Sequence, residues 1–490
     1  MVVVSWPGDV VWWHVYPLGF TGAPGLVGDT HPDSAGDASR ELPVTDRLDR
    51  LLPWLDYVAE LGCSGLILGP VFASRSHGYD TLDHFRIDPR LGDAASFDRL
   101  VKQAAERGLR VVLDGVFNHV GRGFRQFQEA LRDGPDSEAA RWFRIHWDRE
   151  HPDFGGPDHD CFEGHRDLVA LEHGEPAVAD HVTRVMTHWL DRGASGWRLD
   201  AAYAVPPEFW APVLRRVRAE HPDAWVFGEM IHEDYVEYVE TSGLDGVTQY
   251  ELWKAVWSSL NDGNFFELDH ALGRHARFAE AFLPQTFIGN HDVTRLGTRL
   301  DDPRHLPHAL AILFTVAGTP SVYYGDEQAF RGEKEERFGG DDEIRPSFPA
   351  TPAELAPHGW PIYRLHQRLV AVRRRHPWLA RGRTTVEHLT ERTVVLRTVP
   401  RADGPAVRSA DGPAVRSADG PAVRSADGPA AGGPPAVTTL LNSADEPATV
   451  PADRLPGLGR SRVEAGDDLH LDGDGDVVLG PYGWSVLSVG

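Results

Sequence analysis

The sequence predicts an α/β fold: a closed (β/α)8 barrel of eight parallel strands, with an inserted subdomain after the third strand and a C-terminal all-β sandwich. Three observations lead there. Short, near-continuously apolar runs alternate with amphipathic segments from about residue 10 to residue 375. That rhythm lapses over 119–175, a stretch rich in His, Asp, Gly and aromatic residues. Beyond residue 377 short β-branched runs separated by turn residues take its place.

The eight runs are 10–20, 65–72, 109–117, 196–200, 225–229, 246–250, 286–292 and 321–327. Apolar, β-branched and aromatic side chains without alternation are the mark of strands buried on both faces. Between them lie helical patterns. Ser96 is placed to cap a helix carrying Phe97, Leu100, Val101 and Ala104 on one face, with Gly108 just past its end. Pro176 opens another, with Val178, Val182, Val185, Met186 and Trp189 inward and Gly193 at its close. Strands alternating with helices argue for a parallel sheet. The count fits a barrel, with a doubly wound open sheet as the alternative. That alternative usually brings a phosphate loop, and neither GxGxxG nor GxxxxGK[ST] occurs.

The expected organisation is therefore a barrel in two parts, 1–118 and 176–378, an inserted domain over 119–175, and a β domain over 379–490. Within the last, strands are expected at 393–398, 436–441, 448–450 and 484–489. An Ala-Asp-Gly-Pro unit recurs at Ala402, Ala410, Ala418 and Ala426. Such a Pro/Gly tract cannot bury a core, so 401–435 is expected to be a disordered loop.

Composition bounds the function. The chain has 490 residues, too many for one compact core, and a formal net charge of −24. A surface that acidic repels nucleic-acid phosphates and anionic membranes, so neither is an expected partner. Cys63 and Cys161 show neither metal-ligand spacing nor a disulfide framework. No signal peptide is visible near Met1 and no run of 18 apolar residues occurs, so a cytoplasmic location is expected.

The chemistry sits where the apolar runs end. The third runs into Asp114, followed by Asn118 and His119; the fourth into Arg198 and Asp200; the fifth into Glu229; the seventh into His291 and Asp292. In a barrel these ends meet on one rim. Gathering carboxylates there is costly unless they act. Arg198 and Asp200 are two apart and point the same way on a strand. The guanidinium is expected to lower the Asp200 pKa and keep it ionised, as a nucleophile requires. Glu229 has no adjacent cation in the sequence and is the better candidate for a general acid.

The segments Asp-Gly-Val-Phe-Asn-His (114–119), Gly-Trp-Arg-Leu-Asp (196–200), Gly-Glu (228–229) and Asn-His-Asp (290–292) resemble the four signature regions of the α-amylase superfamily, glycoside hydrolase family 13, in order and spacing. His-Gly-Tyr-Asp (77–80) with Ile-Asp-Pro-Arg (87–90) is similar to that family's second βα loop, and 318–327 to its eighth strand. The resemblance spans residues 10–378. It implies that Asp200 attacks the anomeric carbon, Glu229 serves as acid and then base, and Asp292 stabilises the transition state. Arg198 would position Asp200, His119 and His291 would bind the reacting sugar, Tyr79 would stack on it, and Asp114 would support the site. No cofactor is needed for this chemistry, and a calcium ion near Asn118 is a further implication.

The stretch 196–216 and Gly-Glu-Met-Ile-His (228–232) look closest to the cyclomaltodextrinase/neopullulanase group, whose extra N-terminal domain is expected to be missing. Two departures stand out. Leu-Val-Ala-Leu-Glu (168–172) has Glu172 where many relatives carry Asn, which weakens any calcium site that depends on it. Tyr203 stands where many secreted α-amylases carry Lys. The expected function is hydrolysis of α-1,4 bonds in maltooligosaccharides or related glucans. The alternative is a transglycosylase or sugar isomerase working through the same intermediate. A non-catalytic barrel would lack the three carboxylates. His151, Asp153, Asp158, His159, Asp160 and His165 crowd the insert and are expected to line a cleft or face solvent rather than hold a metal.

Overall fold

The computed structural model describes residues 6–24, 43–232, 234–337, 339–401, 435–467 and 469–489. Eight parallel strands form one sheet: β1 (Trp12–Val15), β2 (Gly65–Leu68), β3 (Arg110–Gly115), β4 (Gly196–Leu199), β5 (Trp225–Gly228), β6 (Gly246–Val247), β7 (Gln285–Phe287) and β8 (Thr319–Tyr323). Each pairs with its neighbour in sequence, and β1 also pairs with β8. A parallel bridge between Thr248 and Gln285 joins β6 to β7 and completes the ring.

Six of the eight strands fall inside the apolar runs of the sequence; β7 starts one residue and β8 two residues before its run. One run is cut short: Tyr250 belongs to the helix Tyr250–Asp262, whose first turn is capped by the Gln249 side chain. The helix over Ala94–Glu106 also starts differently from expectation. Asp93, rather than Ser96, is its N-cap; Ser96 is the third helical residue and returns a bond to the Asp93 backbone, a capping box. Pro176 does open the next helix, Pro176–Asp191.

The barrel encloses its own small core. Trp12, Ile67, Val112, Trp225 and Phe227 fill one end, and the Trp12 and Trp225 rings stack 5.2 Å apart. Side chains alternate along a strand, so the next inward positions, His14, Asp114 and Arg198, lie one layer higher, towards the strands' C-terminal ends. Close strand packing requires Gly196: a Cβ there would collide with the Trp225 carbonyl.

The insert is built from the antiparallel strands His119–Gly121, Cys161–Phe162 and His165–Ala170, a second hairpin (Ile145–Glu150 with Pro157–His159) and the helix Arg125–Asp133. That helix buries only Phe127 and Ala130, too narrow a stripe to show a period in the sequence. Beyond the barrel, β9 (Arg383–Leu389), β10 (Thr393–Val399), β11 (Ala436–Asn442), β12 (Arg462–Gly466) and β13 (Trp484–Val489) make an antiparallel sheet in the order β9-β10-β11-β13-β12. A three-stranded sheet faces it across Val395, Leu440, Val450, Val477, Leu479 and Leu487. The larger sheet also docks on a barrel helix, where Thr439 donates to Thr315 Oγ1 at 2.8 Å. The Ala-Asp-Gly-Pro repeats of 402–434 lie outside the described residues.

Candidate active site

The strand ends deliver the titratable residues to one mouth. Asp114 lies on β3, Arg198 on β4, and Asp200, Glu229 and Asp292 follow β4, β5 and β7. Parallel register sets Arg198 beside Asp114 on one side and Phe227 on the other. Asp114 is fully buried, Asp200 and Glu229 nearly so, and Asp292 is the most open, its side chain 30% exposed.

Arg198 is the hub of the four carboxylates. Its Nη1 donates to both Asp114 oxygens, at 2.7 and 2.6 Å, and lies 3.3 Å from Asp200 Oδ1. Its Nη2 is 2.8 Å from Glu229 Oε1 and 4.0 Å from Asp292 Oδ2. The geometry corrects two expectations. Glu229 does have a cation beside it, brought by the neighbouring strand. Arg198 is also closer to Asp114 and Glu229 than to Asp200. Burial, first, and the charge of Glu229, second, raise the Asp200 carboxyl well above its ordinary range, and Arg198 only partly opposes them. Asp114 is raised as well, by burial, against the pull of Arg198 and His291.

Immediately after Asp200 the backbone bends. Ala201 adopts φ +44°, a left-handed conformation costly for a residue with a Cβ, and its N–H donates to Glu229 Oε2 at 3.0 Å. The bend thus ties the segment after β4 to the carboxyl after β5. Glu229 Oε1 also accepts from Tyr250 Oη at 3.0 Å, and that hydroxyl accepts from Asn290 Nδ2 at 2.8 Å.

Asp292 is held by cations. Burial would raise its pKa, but His291, Arg345 and Arg198 outweigh burial and keep it well below the usual carboxylate range. His291 Nε2 lies 2.9 Å from Oδ2, and Arg345 Nη2 donates to Oδ1 at 3.0 Å. The His291 ring is stacked between Tyr79 and Tyr16, with centroids 5.6 and 6.1 Å away. Tyr79 also donates to Asp114 Oδ2 at 3.2 Å.

His119 is buried, which lowers its pKa to about 3 and leaves it neutral. Its Nδ1 pairs with Asn118 Nδ2 at 3.1 Å, and its ring stacks on Phe162 of the insert at 4.7 Å. Asn118 is the residue beside which the resemblance implies a calcium ion. Its amide nitrogen faces His119, and its backbone carbonyl accepts from Leu171 N. Glu172 is turned to Arg144, and the described residues bring no cluster of three carboxylate or imidazole donors to Asn118. Elsewhere His151, Asp158 and His159 place ligand atoms within 4.8 Å of one another. His151 and His159 are buried in the insert's core rather than lining a cleft, because their rings pack on each other and on Phe154 and Phe127. His151 Nδ1 accepts from the amides of Asp153 and Phe154, so Nε2 carries the proton and offers a metal no lone pair.

The structure thus brings Tyr79, Asp114, Arg198, Asp200, Glu229, His291 and Asp292 into one connected network, with His119 in the strand that follows β3. Tyr250, Asn290 and Arg345 join them without having been singled out in the sequence as site residues. Tyr250 ended the sixth apolar run, the same rim position that marked the carboxylates, so a signal existed. Arg345 lies in a loop after β8 with no motif around it, and only the fold carries it to Asp292.

Comparisons with known proteins agree with this architecture. Residues 33–353 match the family described as Alpha amylase, catalytic domain. A cyclomaltodextrinase of Bacillus sp is 32% identical over 67% of this chain and 60% of its own length. An intracellular maltogenic amylase of Bacillus subtilis (strain 168) is 30% identical over 68% of this chain and 57% of its own. The matches therefore span about three fifths of those relatives' length. Among solved structures, the cyclic α-maltosyl-(1→6)-maltose hydrolase of Arthrobacter globiformis superposes with a TM-score of 0.76 at 26% identity, covering 99% of this chain and 100% of that one.

Proposed function

The chain belongs to the alpha-amylase family of glycoside hydrolases, and from that premise we propose that it cleaves α-1,4-glucosidic bonds of maltooligosaccharides or cyclic maltodextrins with retention. The observation that carries this reading is the set of three carboxylates, Asp200, Glu229 and Asp292, held around one buried guanidinium at the mouth of the barrel. The names of the relatives, cyclomaltodextrinase and maltogenic amylase, supply the substrate class.

In this mechanism Glu229 donates its proton to the glycosidic oxygen while Asp200 attacks the anomeric carbon; water, deprotonated by Glu229, then resolves the glycosyl-enzyme. A proton on Glu229 removes the charge that most strongly opposes ionisation of Asp200 after burial. Retention requires the negative charge on Asp200, where Arg198 opposes the cost of burial. Asp292, ionised through His291 and Arg345, faces the oxocarbenium-like charge and the sugar hydroxyls. His119 and His291 bind the reacting sugar, and Tyr79 offers it a ring face. The carboxylates need neither a metal nor an organic cofactor for these steps. The name of one relative, an intracellular maltogenic amylase, supports a cytoplasmic location. No helix among the described residues is long and apolar enough to cross a membrane.

Time courses with maltoheptaose and with a cyclic maltodextrin test the reading. Wild-type protein is expected to release shorter maltooligosaccharides, and Glu229→Gln to lose on the order of 1000-fold in kcat. Longer or isomeric products would shift the reading to glycosyl transfer. A Glu229→Gln variant as active as wild type would overturn the assignment.

A further inference from the structure

The insert reaches across the cleft at one point the mechanism does not use. Strands Cys161–Phe162 and His165–Ala170 pair with Phe162 opposite His165, leaving Glu163 and Gly164 as a two-residue turn. Both have positive φ, +48° and +83°. Turns of this kind favour Asn, Asp or Gly at the first position, and a glutamate there is strained. Its carboxylate leaves the hairpin and accepts from Tyr203 Oη at 3.0 Å.

Tyr203 stands three residues after Asp200, in the turn Ala202–Ala204. Its ring meets His232 edge-on at 4.8 Å, and His232 is three residues past Glu229. Tyr203 therefore lies on the acid's side of the cleft, the side the leaving group occupies. The other anchor of the hairpin is Phe162, stacked on His119. The turn thus spans from a sugar-binding histidine to the leaving-group side. An exposed hydrogen bond returns to stability no more than the left-handed glutamate costs, so stability does not explain this residue.

We propose that Glu163 and Tyr203 form a strap over the leaving-group side of the cleft, and that Glu163 is a specificity-determining residue that holds the Tyr203 ring against the sugar leaving group or acceptor. This rests on the glucan-cleaving reading above. The strap orients the ring, and the phenol and carboxylate present hydroxyl partners to a sugar on that side. An aryl leaving group has no hydroxyls to use them.

The test compares wild type with Glu163→Gly, Glu163→Gln, Tyr203→Phe and the double variant Glu163→Gly/Tyr203→Phe. Two substrates are used, maltoheptaose and p-nitrophenyl α-maltoside, with thermal melts alongside. In Glu163→Gly the ratio of the KM for maltoheptaose to the KM for the aryl maltoside rises about threefold or more, while Tm stays level or increases because glycine relieves the turn. Tyr203→Phe shifts the ratio similarly, the double variant shifts it no further, and Glu163→Gln, which keeps an acceptor oxygen, restores most of it. An unchanged ratio in Glu163→Gly, or additive shifts in the double variant, overturns the strap while leaving the proposed function standing. Wild-type protein inert on every α-glucan overturns both.

Discussion

At the scale of single residues, the site is organised by Arg198. A planar fork reaches Asp114 and Glu229 together, at 2.6 and 2.8 Å, which an ammonium on a flexible stem cannot do. Arg198→Lys is therefore expected to lower kcat/KM on the order of 100-fold, measured on maltoheptaose; a loss under threefold would mean that the fork is dispensable. Asp114 offers a pH test. Its charge helps raise the Asp200 pKa, and it holds much of the guanidinium. Asp114→Asn removes that negative charge, which favours ionised Asp200. The acid limb of the kcat/KM profile should then move to lower pH even as the maximum rate falls. A limb that stays or moves upward would assign it to another group.

At the scale of elements, what matters is how strand and helix ends are secured. The helix Ala94–Glu106 packs Phe97, Leu100 and Ala104 inward, and its first turn is closed by Asp93 and Ser96. Asp93→Ala leaves the Ser96 amide without its acceptor and should cost about 1 kcal/mol in urea unfolding, with unchanged kinetics on maltoheptaose. No loss of stability would show the capping box to be redundant with the neighbouring Arg99 and Asp46 contacts. The strands were legible because each is buried on both faces and so carries a continuous apolar run. The insert was less so: its one helix buries two residues, and its hairpins expose most of their faces.

At the scale of the whole molecule, burial of charge couples stability to pH. Glu327 lies between β8 and the helix Trp54–Leu61, accepting from Tyr57 Oη at 3.0 Å, and burial pushes its pKa up to about 7. Asp326 is pushed up to about 6 by burial, despite Arg295 at 2.8 Å. A carboxyl with a raised folded pKa binds protons more tightly folded than unfolded. Its contribution is complete below the unfolded value, near 4.5 for Glu327, and is lost as pH rises through about 7. For Glu327 this amounts to roughly 3 kcal/mol. Glu327→Gln, which cannot ionise, should lose less Tm than wild type between pH 5 and pH 8; parallel curves would place the titration elsewhere.

By itself the sequence determined the barrel and the ring of acids at its mouth. Buried parallel strands must be apolar throughout, and a carboxylate ending such a run stands out against it. Asp114, Asp200, Glu229 and Asp292 were each visible in that way. Tertiary structure alone decided how they share charge. The partner of Glu229 is Arg198 on the adjacent strand, 31 positions back in the chain, and Arg345 reaches Asp292 from a loop 53 positions on. Strand register and barrel closure set those distances, and neither leaves a trace in local composition. The same holds for the Glu163–Tyr203 strap: two ordinary residues 40 positions apart become neighbours because the insert folds back over the strand ends.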